Sequence, residues 1–174
     1  MRLTRLFTFS WSEAILSLMI AALAFSPLAS AASSANVTAT VTIQNVSVAV
    51  TDGSVAYTTV STSGNADTTS NGVNDSQTAT NDGNVTEDLN IRGADSTSWT
   101  LAATAGSEQY AHKFCITTCD TTPTWTALTT SNQTLAASVA TSGTQVFDLQ
   151  FLAPTATTQT AQESLTVTVQ ASAS

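Results

Sequence analysis

The chain has 174 residues, 12 acids against 4 bases, and a net charge of −8. Only 9% of its residues are charged, against about 25% in a typical soluble domain. Nucleic acid and anionic membrane surfaces both demand a basic face, so this balance argues against either partner. A single His leaves little for acid–base or nucleophilic catalysis. Thr and Ser make up roughly a third of the chain, a composition that suits pleated strands.

In chain order, Arg2 and Arg5 come first, followed by an uncharged apolar run over 14–25. Pro27 and then Ala29-Ser30-Ala31 follow that run. This is the layout of a cleavable secretory signal with its cut after Ala31. The run is shorter than the roughly 20 residues needed to cross a bilayer. The expectation is a signal-peptide helix over 1–31, a single domain over 32–174, and an extracellular location without membrane insertion.

Beyond Ala31 the periodicity is two nearly everywhere, which is the mark of strands. Val37, Ala39, Val41 and Ile43 alternate with Thr38, Thr40 and Thr42. Parity then flips at Gln44-Asn45, where a bulge or corner is expected, and 46–51 continues the pattern. Asp52-Gly53 is a hairpin-type turn, with 55–60 resuming as a strand. A polar stretch over 64–83 reads as a long loop holding one short strand, 76–80. Further strands are expected at 85–92, 98–104, 109–116, 125–128, 134–139, 145–152 and 163–171. Half-apolar, half-Thr/Ser strands fit two packed antiparallel sheets with one wet face each. The fold class is therefore all-β: an immunoglobulin-like β-sandwich, with a jelly roll as the alternative.

Cys115 and Cys119 enclose three residues. In an exported chain such a pair defaults to a disulfide, here stapling a hairpin tip. A sharper reading adds His112 as a third zinc ligand, with Asp120 or water as the fourth. His112 also shares parity with Tyr110 and Phe114, the ordinary pattern of a half-buried strand. Asp67, Asn71, Asp75 and Asp82 lie in or beside the long loop, where oxygen ligands suit Ca²⁺, although their spacing matches no calcium-loop pattern. Calcium aside, no cofactor or metal is expected. Glu87 and Asp88 are adjacent in a strand and point to opposite faces, so they cannot act as a catalytic pair. Asn36, Asn45, Asn74, Asn84 and Asn132 each begin an Asn-x-Ser/Thr triplet, frequent enough by chance in a chain this rich in Ser and Thr. No enzymatic activity is expected.

The uncharged stretch 37–43 lacks the Lys, Pro or inward charges that normally guard a strand edge. It either pairs within its own sheet or completes the sheet of a neighbour by strand addition. Val37, Ala39, Val41 and Ile43 are the candidate donor positions. Trp99, Leu101 and Trp125 are candidate core or surface anchors, and Cys115 and Cys119 the staple.

The stretch 88–103, DLNIRGADSTSWTLAA, resembles the first motif region of the WxL surface proteins of Gram-positive bacteria. Arg92-Gly93 and Trp99-Thr100-Leu101 occupy the places of that family's Arg-Gly pair and Trp-x-Leu strand. Leu165-Thr166-Val167-Thr168-Val169 sits where the family places its second motif, without the second Trp. The resemblance implies a β-rich protein held non-covalently at the cell wall. In layout the chain is also similar to secreted fibre proteins of the TasA and camelysin kind, which implies a sandwich with an N-terminal donor strand. The functional expectation is a secreted, non-catalytic cell-surface structural or adhesive protein, a fibre or coat subunit whose partner is a second copy of itself. The alternatives are a module binding cell-wall polysaccharide or another glycan and, more remotely, a secreted metal-binding protein or enzyme.

Overall fold

The computed structural model describes residues 33–174. The expected signal segment 1–31 lies outside the described residues. The chain divides after Val41 into two units. Of the first, Ser33 to Val41 is described, and it carries no strand assignment.

The second unit, Thr42–Ser174, contains ten strands and no helix. They are β1 (Val48–Thr51), β2 (Asn65–Asp67), β3 (Gln77–Asn81), β4 (Glu87–Gly93), β5 (Thr100–Leu101), β6 (Gln109–Cys115), β7 (Thr126–Ala127), β8 (Gln133–Val139), β9 (Thr144–Leu152) and β10 (Val167–Ala173). A seven-stranded sheet runs β1-β3-β9-β6-β5, with β2 added on β9 and β7 on β6. A three-stranded sheet runs β10-β4-β8. The two sheets make a β-sandwich.

The core lies between them because alternation sends one apolar set inward from each. Phe147 and Leu149 on β9, Phe114 on β6 and Ala79 on β3 meet Leu89 and Ile91 on β4 and Leu135 on β8. Each large side chain so buried stabilises the fold by roughly 1.5–3 kcal/mol. Gly93 closes β4 where a Cβ would stand 2.6 Å from Leu101 Cδ2, so the missing side chain is what admits Leu101 to the core.

The structure departs from the sequence expectation at four places, the first being that the stretch 64–83, expected as a long loop holding one short strand, holds two, β2 and β3. The stretch 37–43 joins neither sheet; with three exposed apolar side chains and no strand partner among the described residues, it is not a strand. The stretch 98–104 contributes only β5, which pairs with β6 in parallel, Thr100 opposite Gln109, so the large sheet is not wholly antiparallel. The stretch 55–60 does not return as a hairpin partner of β1.

The last departure has a local cause. Asp52 and Gly53 both adopt left-handed φ, 69° and 68°, as a primed hairpin turn requires. The buried Gln77 then captures the exit. Its Oε1 accepts the Gly53 N–H at 3.0 Å, and its Nε2 donates to the Ser54 carbonyl at 3.3 Å. The chain is drawn across the end of the large sheet, and Tyr57 comes to rest on that sheet's inner face, stacked on Phe151 with ring centroids 5.7 Å apart. Residues 55–60 therefore belong to the layer of the smaller sheet.

Candidate functional site

A buried histidine and a half-buried tyrosine organise the inner face of the large sheet. His112, on β6, is 2% exposed and sits opposite Phe151 in the β6–β9 register. Its Nε2 and the Tyr57 hydroxyl share a hydrogen bond at 2.8 Å. Its Nδ1 is buried and has no partner among the described residues. Burial pushes the imidazole down to about 4, so it is neutral at physiological pH. Burial, reinforced by the charges of Asp67, Asp75 and Asp148, holds the Tyr57 hydroxyl well above its ordinary range. Neither group is poised for proton transfer near neutrality.

Beside this pair lies an open cleft of about 1090 Å³, just above the roughly 300–1,000 Å³ typical of small-molecule pockets. Its floor is Phe147, Leu149, Phe151, His112 and Trp99. One wall is the stretch 53–60, which turns in Val55 and Tyr57; the other is 157–167 running into β10, which presents Leu165, Val167 and Val169. Both walls are extended, and the amides and carbonyls of 55–60 and of 162–166 make no hydrogen bond to any described residue. β10 pairs only with β4, so its outer edge is open on the cleft side. Unpaired backbone on both sides of an apolar floor is what a sheet lacking a strand presents.

Trp99 and Leu101 converge with Leu165 on the cluster of Tyr110, Phe151 and Ala153, so the two WxL-like stretches meet in space. The Trp99 ring stacks on Phe151 at 6.1 Å, and its Nε1–H donates to Thr157 Oγ1 at 2.9 Å. That packing occupies one ring face and the indole donor, the features a sugar-stacking platform would use. Tyr110 is fully buried, and its hydroxyl donates to the Ala94 carbonyl. Burial and the charge of Asp95 push that hydroxyl up to about 12. Trp125 lies half-buried just before β7.

Cys115 and Cys119 form a disulfide, Cα to Cα 5.8 Å. Oxidised sulfurs are not thiolate ligands, so the reading of a zinc site with His112 has lost two of its three ligands. Among the described residues no group of three or more His, Cys, Asp or Glu side chains could hold a metal ion. Asp67 and Asp75 serve local turns instead, and Asn71 tethers the loop to the segment that follows Cys119. Asp67 accepts from the Thr69 hydroxyl at 2.6 Å, Asp75 from Gln77 Nε2 at 3.1 Å, and Asn71 donates to the Asp120 carbonyl at 3.2 Å. The staple closes so small a loop that the chain-entropy argument gives it about 2 kcal/mol. Reduction, or the paired change of Cys115→Ser and Cys119→Ser, should lower unfolding free energy by that amount in a urea titration. A loss above about 4 kcal/mol would mean that the tip supports the core and does more than close a loop.

Sequence reasoning singled out 37–43, Trp99 and Leu101 but not the walls of the cleft. Tyr57 was visible only as an alternating apolar position, and Leu165, Val167 and Val169 only as the place of a second Trp-x-Leu-like strand. No family model, curated protein or solved structure matches the chain.

Proposed function

We propose that this chain is an exported, non-catalytic structural or adhesive protein of the cell surface, a fibre or coat subunit that assembles by adding its own N-terminal strand to a neighbouring copy. One observation carries the reading. Val37, Val41 and Ile43 are 94%, 85% and 75% exposed on an extended, uncharged segment that belongs to neither sheet. They account for half of the six exposed large apolar side chains among the described residues. Alternating apolar side chains on an unpaired extended backbone are the two components of strand addition: main-chain hydrogen bonds for affinity, side-chain pockets for specificity. Burying each such side chain at an interface is worth roughly 1.5–3 kcal/mol before the costs of association.

The signal-like leader, the scarcity of charge and the sandwich, which we take to be of immunoglobulin type, fit an extracellular coat. The WxL and TasA-like resemblances support the same location. The test uses protein exported by cells expressing the full chain, examined by light scattering and negative-stain microscopy. Native protein should form filaments or high oligomers, and a deletion of 36–43 should leave monomer. A native monomer, or a deletion variant that polymerises as the native chain does, overturns the reading.

A further inference from the structure

We propose that residues 55–60 form a strap over the inner face of the large sheet, latched by Tyr57 on His112 and released in acid. Release uncovers the aromatic side chains beneath, so the folded protein holds an apolar surface that acid exposes. The inference does not depend on how copies of the chain assemble.

The strap is held by side chains and not by a ladder. No amide or carbonyl of 55–60 bonds a described residue. Backbone ties exist only at its two ends. Before it, the Gly53 N–H donates to Gln77 Oε1 and the Ser54 carbonyl accepts from Gln77 Nε2. After it, the Ser63 N–H donates to the Pro154 carbonyl at 3.0 Å. Between these ties Thr58 has a φ of 61°, a left-handed conformation that strains a β-branched residue. Val55 and Tyr57 pack on the larger core cluster, and Tyr57 and Val60 on the cluster of Tyr110, Phe151 and Ala153. Of these three side chains only Tyr57 adds a polar bond, from its hydroxyl to His112 Nε2. A segment with no backbone pairing and a strained residue belongs to the low-stability end of a fold.

Acid acts on the latch through His112. Among the described residues its two ring nitrogens meet only the Tyr57 hydroxyl, at Nε2. In the imidazolium both nitrogens are donors, so under the strap the Nδ1–H would have no acceptor. No carboxylate supplies a counter-charge there. On β9, Asp148 alternates to the other face and accepts from Thr68 and Ser76. Asp67 and Asp75 accept from Thr69 and Gln77, Asp95 from the Leu101 N–H, and Glu163 in the far wall from the Ser98 N–H. On β6, Lys113 follows His112 and points to the opposite face, and the Tyr110 hydroxyl is spent on the Ala94 carbonyl. With the strap lifted, water solvates both nitrogens. The closed form is therefore favoured in full above about pH 6.5 and loses ground as the pH falls. His112 titrates at about 4 when covered, against an ordinary 6.5, so the ratio of open to closed strap should rise about 50-fold between pH 7 and 4.5.

Hydroxyl-radical footprinting of protein purified from cells expressing the full chain tests this. Phe151 and Phe114 are each 6% exposed; Phe151 lines the cleft beside the strap and Phe114 does not. From pH 7 to 4.5 the oxidation of Phe151 should rise at least severalfold, while that of Phe114 stays level and thermal melting shows a folded protein. In His112→Gln, which cannot titrate, Phe151 should stay level over the same range. A Phe151 signal that does not move, that rises in step with Phe114, or that rises equally in His112→Gln overturns the proposal. The native chain alone supplies the first two of these outcomes, so the test does not hang on the folding of the variant.

Discussion

Asn81→Ala is expected to cost about 3–5 kcal/mol of folding stability, a large part of the roughly 5–15 kcal/mol a domain possesses. Asn81 ends β3, is 0% exposed, and bonds three backbone groups with its side chain. Its Nδ2 donates to the carbonyls of Val85 and Val139, each at 2.8 Å. Its Oδ1 accepts the Gly83 N–H at 2.9 Å. Its main chain exchanges bonds with Gly143 and Ser142. One residue thus ties together β3, the β3–β4 turn, the end of β8 and the β8–β9 turn. Truncation removes three hydrogen bonds, that of the Gly83 amide buried and those of the two carbonyls partly so. Asn81→Asp should be no better, because a carboxylate would face the same two carbonyls as an acceptor. Urea unfolding followed by Trp fluorescence measures the loss; a change below about 1 kcal/mol would show that water replaces the side chain without penalty.

The second large effect is on the pH profile of stability. His112 titrates at about 4 in the fold against an ordinary value of 6.5, so between those values the unfolded chain binds more protons than the folded one. Stability from this group is complete above about pH 6.5 and falls as the pH drops toward 4, by about 3 kcal/mol in all. Protonation would place a cation on an apolar floor beside the Tyr57 hydroxyl, with Nδ1 still lacking a partner. Glu108, Asp120 and Glu163 are held below the ordinary carboxylate range, chiefly by hydrogen bonds to Thr157, Ser70 and Ser96 respectively. Their contributions are lost at lower pH, as the solution passes below that range. His112→Gln keeps a side-chain partner for Tyr57 but cannot titrate. Its guanidinium unfolding midpoint should be level between pH 6.5 and 4.5, where that of the native chain falls. Parallel profiles would show that the loss comes from another group.

These two positions differ in how visible they are in the sequence. His112 stands in strict alternation with Tyr110 and Phe114, so its inward direction follows from period two alone. What makes it neutral is burial, which depends on elements arriving from far along the chain; even its hydrogen-bond partner Tyr57 is 55 residues away, and nothing local encodes that contact. Asn81 belongs to an Asn-Asp-Gly turn signal, and the turn forms where expected. Its role as a tie between two turns depends on β8 and β9 arriving beside it, which is a long-range event. Glu87 and Asp88 do point to opposite faces. Glu87 is buried, with its Oε1 accepting the Ser47 N–H at 2.8 Å, while Asp88 reaches outward to the Ser138 N–H, also at 2.8 Å.

By itself the sequence determined that the described residues are all-β, that β4, β6, β8 and β9 fall within a residue or two of their observed places, that Asp52-Gly53 turns, and that Cys115 and Cys119 join. Each of these follows from side-chain alternation, turn chemistry or close spacing, which act over a few residues. Only the tertiary structure decided which extended stretches become strands. Residues 37–43 alternate as regularly as β10, and 55–58 begin to with Val55 and Tyr57, yet neither pairs with a strand among the described residues. Gln77 diverts one at its start, and Asn84 holds the chain where the other ends. A period of two states that a segment is extended and has an apolar side. Whether a neighbouring edge lies within about 4.8 Å to pair with it is set by the packing of the whole sandwich.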